Sequence, residues 1–181
     1  MKTVKELETS AYKEMKGTRH YKNAMAAPHL TKVVISVGTG SAMKRDPKRN
    51  DFIADRLGKI TGQKTALRGA KKSIATFKVR QGDPIGLMVT LRGTRMYGFL
   101  DKLFDIVIPR TKDFRGLDIK GVDSIGNLTI GIREHTIFPE TADEELRDVF
   151  GFAVTLVTTA KTRNEALEFF RLIGVPFKKS E

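Results

Sequence analysis

The chain has no cysteine, so it can form neither a disulfide nor a thiolate site, and a reducing, cytosolic setting is expected. Its three histidines, His20, His29 and His135, stand at no ligand-like spacing, so no metal centre is expected. A packed or solvated side chain is the ordinary account of each. No apolar run approaches the length of a spanning helix. Lys2, Lys5, Glu6 and Glu8 interrupt the N-terminus, which therefore lacks a secretory signal core. Nucleophile elbows and phosphate-binding P-loops are missing too. Gly38-Thr39-Gly40 follows a strand-like run, but a dinucleotide fingerprint needs a third glycine where Met43 stands, so a tight turn is expected. Acids are scarce, 21 against 33 Lys plus Arg, and the formal net charge is +12. That excess favours polyanionic partners, nucleic acid first and an anionic membrane second, and the missing span weakens the second.

What is present centres on residues 69–93, GAKKSIATFKVRQGDPIGLMVTLRG. Lys71, Lys72, Lys78 and Arg80 precede any acid. Gly82, Asp83 and Pro84 signal a turn, and Ile85 to Leu91 reads as a buried strand. A cationic loop on a rigid base suits a phosphate backbone; a merely solvated surface loop is the alternative. Phe77 among the cations can stack on a nucleotide or fold back as an anchor. Positive charge also flanks the stretch. From Arg56 to Arg80 every charged residue is basic.

The remaining elements alternate. Thr3 and Glu6 have capping-box spacing, Val4, Leu7, Ala11 and Met15 form a helical stripe, and Gly17 is expected to stop that helix. Tyr21 and Asn23 suit either RNA contact or local packing. Lys32 to Val37 reads as a strand. Asp46-Pro47 resembles a helix start before Phe52, Ile53, Leu57 and Ile60, and Gly62 ends that helix. Met96, Phe99, Leu100, Leu103 and Phe104 recur at helical spacing. Asn127 to Glu134 and Phe152 to Val157 read as strands. Thr162 and Glu165 open a last helix with Ala166, Leu167, Phe170 and Ile173 on one face, ended by Gly174 and Pro176. This order predicts an α+β fold: a single domain over residues 1–181 with a mostly antiparallel sheet, helices packed on one face and extended basic loops. Its halves, about 1–83 and 84–181, are expected to share one core. The acidic segment Glu140, Asp143, Glu144, Glu145 and Asp148 reverses the prevailing charge. Helix-start acids or a dock for a basic partner would account for it.

The central stretch resembles the signature of the L-five family of large-subunit ribosomal proteins, which reads close to AKKSIAxFKxRxGxPIGxxVTLRG. Ala70 to Ile74, Phe77, Lys78, Arg80, Gly82, Pro84 to Gly86 and Val89 to Gly93 all match. Thr61 to Lys64 matches TGQK, and Phe138-Pro139-Glu140 matches FPE. Pro109 to Gly116 resembles PRxRDFRG with Lys112 in place of an arginine. Asp123 to Asn127 keeps three positions of DGxGN. Ser36 stands where the family usually has Asn.

The resemblance implies a non-enzymatic ribosomal constituent of the cytoplasm, with no cofactor or metal and no membrane partner. Implied partners are 5S rRNA, large-subunit rRNA, P-site tRNA, a basic small-subunit head protein and neighbouring large-subunit proteins. Implied 5S rRNA contacts are Asn23, Ser36, Gln63, Thr65, Arg68, Thr90 and Arg92. The loop implied to reach P-site tRNA carries Lys71, Lys72, Ser73, Phe77, Lys78, Arg80 and Gln81. The implied bridge between subunits uses Arg110, Lys112, Arg115, Glu140, Asp143, Glu144 and Glu145. The competing expectation is a nucleic-acid-acting or nucleotide-dependent enzyme whose site is assembled from distant residues.

Overall fold

Five strands make one sheet of order β2-β3-β1-β5-β4 in the computed structural model, which describes residues 2–19, 21–40, 48–112, 114–142 and 149–178. The strands are β1 (Leu30–Gly38), β2 (Ala66–Gly69), β3 (Pro84–Leu91), β4 (Leu128–Ile132) and β5 (Phe152–Thr158). Neighbours run antiparallel. β2 and β3 pair Ala66 with Met88 and Arg68 with Gly86. Between β1 and β5, the Thr159 N–H donates to the His29 carbonyl and the Thr31 hydroxyl to the Val157 carbonyl. Val33, Ile35 and Val37, Leu87, Val89 and Leu91, and Phe152, Val154 and Leu156 are buried, while residues between them are less so. This period of two gives the sheet a covered face and an open one. The α+β expectation holds.

The chain forms two compact units, one of Met1–Val33, Leu91–Ile130 and Thr155–Glu181, the other of Val34–Thr90 and Gly131–Val154. In the first, helix α1 (Val4–Arg19) opens on the expected capping box: the Glu6 N–H donates to the Thr3 hydroxyl, and the Thr3 N–H to Glu6 Oε2. A second carboxylate, Asp101, accepts the Val4 N–H at 2.7 Å. Val4, Ala11 and Met15 are buried as the stripe predicts. Gly17 does not stop the helix, which runs on to Arg19. A single glycine costs a helix only about 1 kcal/mol, and packing along the stripe outweighs it. Helix α5 (Arg163–Leu172) is capped by Thr162 and packs on α1; Phe169 takes a core place beside Ala166 and Phe170, while Leu167 is only half-buried.

Helix α3 (Gly93–Lys102) passes into a π-helical turn, Leu103–Val107, and then one α-helical turn, α4 (Ile108–Arg110). The apolar spacing explains the widened turn. Met96, Leu100, Phe104 and Ile108 are all buried at strict intervals of four, which exceeds the α-helical period of about 3.6. A wider turn keeps them on one face. It also precedes Pro109, which has no N–H to continue the ladder.

In the second unit, helix α2 (Arg49–Thr61) ends at Gly62, whose φ of 65° and N–H bond to the Gly58 carbonyl make a left-handed cap. The expected Asp46-Pro47 start lies outside the described residues. Ile53, Leu57 and Ile60 are buried. An aromatic cluster fills the far end: His135, fully buried, stacks on Phe150 at 4.2 Å, and Phe52 meets both edge-on. His135 Nδ1 faces the Phe150 N–H, so this histidine is a packed one. The turn expected in Gly38-Thr39-Gly40 comes at its last residue: β1 runs through Gly38, the Thr39 N–H donates to the Ile85 carbonyl, and the chain turns at Gly40.

Candidate nucleic-acid interface

The basic stretch between β2 and β3 folds as a small hairpin. Ile74 and Val79 exchange backbone hydrogen bonds of 2.9 and 3.2 Å, and the Lys78 N–H donates to the Ala75 carbonyl to close the tip. Lys78 has a φ of +50°, the one non-glycine residue with positive φ among those described. The base is pinned three ways. The Ala70 N–H donates to the Asp83 carbonyl, the Gly82 N–H to the Ala70 carbonyl, and the Arg80 N–H to Asp83 Oδ2 at 2.7 Å. Gly69 fits closely there: a Cβ would sit 3.1 Å from the Gly82 carbonyl oxygen, so the backbone would have to give by a few tenths of an ångström.

Lys71, Lys72, Lys78 and Arg80 are exposed, and among the described residues none makes an ion pair. Their charge is therefore free to meet an anion. The Ser73 hydroxyl accepts the Gln81 N–H at 2.9 Å, so the two expected backbone-binding groups are tied to each other across the hairpin. Phe77 is 61 % exposed and Ile74 46 %, which excludes Phe77 as a core anchor.

Beside the hairpin, Ser36 on β1, Thr90 on β3 and Arg68 on β2 all point to the open face. Ser36 and Thr90 each alternate with buried residues, and the β2–β3 register carries Arg68 to the same side as Met88. Arg68 Nη2 lies 3.8 Å from Met88 Sδ. Gln63 Nε2 donates to the Thr90 carbonyl at 3.2 Å, so the amide extends the sheet where β2 has not yet begun and keeps its oxygen and one N–H for a ligand. Thr65 is half-buried next to it.

The other expected contacts lie in the first unit. Asn23 accepts the Met25 N–H and caps a 3-10 turn, Ala24–Ala26, so its carboxamide oxygen serves a local role. Tyr21 donates its hydroxyl to Glu165 at 2.5 Å, beside the Arg19–Glu168 ion pair at 2.9 Å. Burial, then this hydrogen bond, raises the Tyr21 phenol above its ordinary pKa. Tyr21 is a packing residue. Arg92 is exposed and extended, just before α3. Arg110, Lys112 and Arg115 are exposed around the end of α4. Glu140, in the second unit, is exposed in the 3-10 turn Pro139–Thr141, and Asp143, Glu144 and Glu145 lie outside the described residues.

Sequence reading missed Asp83 as more than a turn residue, and it missed Met88. Asp83 was legible in principle, since an Asp three residues past Arg80 is at local-turn spacing. The relation of Met88 to Arg68 depends on strand register, which no short spacing reveals. No group of three or more potential metal ligands occurs among the described residues, and none of their helices is long and apolar enough to cross a membrane.

Two family models match this chain: "Ribosomal protein L5" over residues 23–80, and the C-terminal region of that ribosomal family over residues 84–177. The chain is 48 % identical to the large ribosomal subunit protein uL5 of Halothermothrix orenii over 88 % of each chain. It is 51 % identical to that of Carboxydothermus hydrogenoformans, again over 88 % of each. Against that of Desulfotalea psychrophila it is 46 % identical over 99 % of this chain and 100 % of the relative. With both halves of the sequence covered, and with the Ile74–Val79 pairing of the basic hairpin and the open face inside the matched regions, the chain belongs to the ribosomal protein L5 family, which is structural rather than enzymatic.

Proposed function

We propose that this protein is a structural constituent of the large ribosomal subunit that holds 5S rRNA on the open face of its sheet. The observation that carries this is the convergence of Ser36, Arg68 and Thr90 on one face of three neighbouring strands, with Gln63 bracing its edge. A hydroxyl, a guanidinium and a second hydroxyl are groups that meet phosphates and 2′-hydroxyls, through which structured RNA is recognised. Thr65, Asn23 and Arg92 extend the same set, Asn23 through its remaining N–H donors. Holding 5S rRNA there would anchor it to the large-subunit rRNA.

The hairpin is a second reach of the same molecule. Lys71, Lys72, Lys78 and Arg80 neutralise phosphates without reading bases, which suits contact with every P-site tRNA. The cations Arg110, Lys112 and Arg115 and the acidic segment from Glu140 through Asp143, Glu144 and Glu145 supply the bridge to a basic small-subunit head protein. In a direct titration the full chain should bind 5S rRNA more tightly than an unrelated hairpin RNA of equal length, with affinity falling as salt rises. Equal affinity for the two RNAs would overturn the reading.

A further inference from the structure

The open face carries one large apolar side chain to which neither the charge pattern nor the family resemblance gives a role. Met88 is half-buried on β3, at one of the two positions of that strand the resembled signature leaves unspecified. Its register partner on β2 is Ala66, too small to cover it, and Arg68 stands two residues further along that strand. Such diagonal neighbours on an antiparallel pair lie within reach of long side chains. Arg68 uses that reach, placing Nη2 3.8 Å from Met88 Sδ. Among the described residues no carboxylate pairs with Arg68. The thioether, a soft and weak acceptor, is thus the group that meets the guanidinium.

An arginine on an exposed four-residue edge strand would otherwise lose much of its rotamer freedom when a ligand fixed it. A neighbour that restricts it beforehand removes part of that cost. We propose that Met88 is a positioning residue: it holds the Arg68 guanidinium on the open face, ready for an RNA phosphate. The proposal rests on the reading of that face as the RNA-holding surface. Met88 itself need not touch the phosphate. Its stem offers an apolar shelf between the cation of Arg68 and the hydroxyl of Thr90, against which a ribose can lie.

The test uses the full chain and separates the two claims. In the free protein, side-chain NMR relaxation at Arg68 Nε–Hε should report greater fast motion in Met88→Ala than in wild type, with the melting temperature little changed. In 5S rRNA titrations Met88→Ala should weaken binding about threefold. That loss should vanish when Met88→Ala is made on an Arg68→Ala background. Met88→Thr, a residue type that strands favour, should repeat both results if alanine impairs folding. An Arg68 order parameter indifferent to Met88 overturns the proposal, and so does an equal loss of binding with and without Arg68. If wild type shows no preference for 5S rRNA, the RNA reading fails instead, while the relaxation measurement still decides whether Met88 holds Arg68.

Discussion

Single carboxylates do much of the fastening in the first unit. Glu8 accepts the Leu30 N–H with one oxygen and the Tyr97 hydroxyl with the other, at 2.8 and 2.6 Å. Glu165 accepts from Tyr21, and from the Lys161 N–H at 2.8 Å. Asp123 accepts the Ile125 and Asn127 N–H groups and the Asn127 amide, closing the turn before β4. Burial alone would raise the pKa values of Glu165 and Asp123. The hydrogen bonds together outweigh it, and both sit below their ordinary values of 4.5 and 3.8. Groups with depressed folded-state pKa values contribute their stability above the ordinary range and lose it as pH falls through and below it. Melting temperatures taken from pH 7 down to pH 3 should therefore fall on the acid side, and the fall should be shallower in a Glu165→Gln, Asp123→Asn double variant. A double variant with an unchanged acid limb would assign the loss to other groups. Legibility at this scale followed sequence distance. The Thr3–Glu6 box was readable because both partners lie within one turn. The bonds of Glu8 to Tyr97 and of Gln63 to Thr90 join residues far apart in the chain, so no local spacing announces them.

Elements were more legible than their joints. Alternation and four-residue recurrence located the helices and strands, since burying one face dictates the period. The π-helical turn was not legible, because apolar spacing names the face but not how the backbone reaches it. Another hidden joint is Gly116. Its φ is +100°, and a Cβ there would lie 2.6 Å from the Lys178 backbone nitrogen, where Leu117 pairs with the C-terminal Pro176–Lys178 stretch. Backbone atoms cannot yield as a flexible side chain would. Gly116→Ala should cost about 2–4 kcal/mol in urea unfolding, whereas Gly17→Ala, in a helix with open space around it, should be neutral or stabilising. Equal effects at the two sites would refute the packing argument. The basic hairpin shows the opposite balance: its cations were plain in the sequence, while its Asp83 staple needed the fold.

Across the whole molecule the charge of +12 sets the terms of association. If the hairpin reaches P-site tRNA, replacing Lys72, Lys78 and Arg80 together by Ala should weaken tRNA retention on assembled ribosomes and lower the salt slope by about one unit per lost phosphate contact. Folding and 5S rRNA binding should stay nearly intact, because the three side chains are exposed and none makes an ion pair among the described residues. A triple variant that released 5S rRNA yet kept tRNA would place the hairpin on the rRNA side.

The closure of α1 by α5 has a consequence in time. Tyr21 finds Glu165 144 positions later, and Arg19 finds Glu168 149 positions later. At roughly 5–20 residues per second, synthesis leaves the first of these partners waiting about 7–30 seconds for the second. Neither compact unit is a continuous piece of chain, since β1, β3, β4 and β5 each start in one and end in the other. The nascent protein is thus a strongly cationic, incompletely packed chain until nearly its last helix emerges. During that interval its lysines and arginines are available to any RNA nearby, so early capture by the correct RNA, or shielding by a chaperone, matters most before the C-terminal helix arrives.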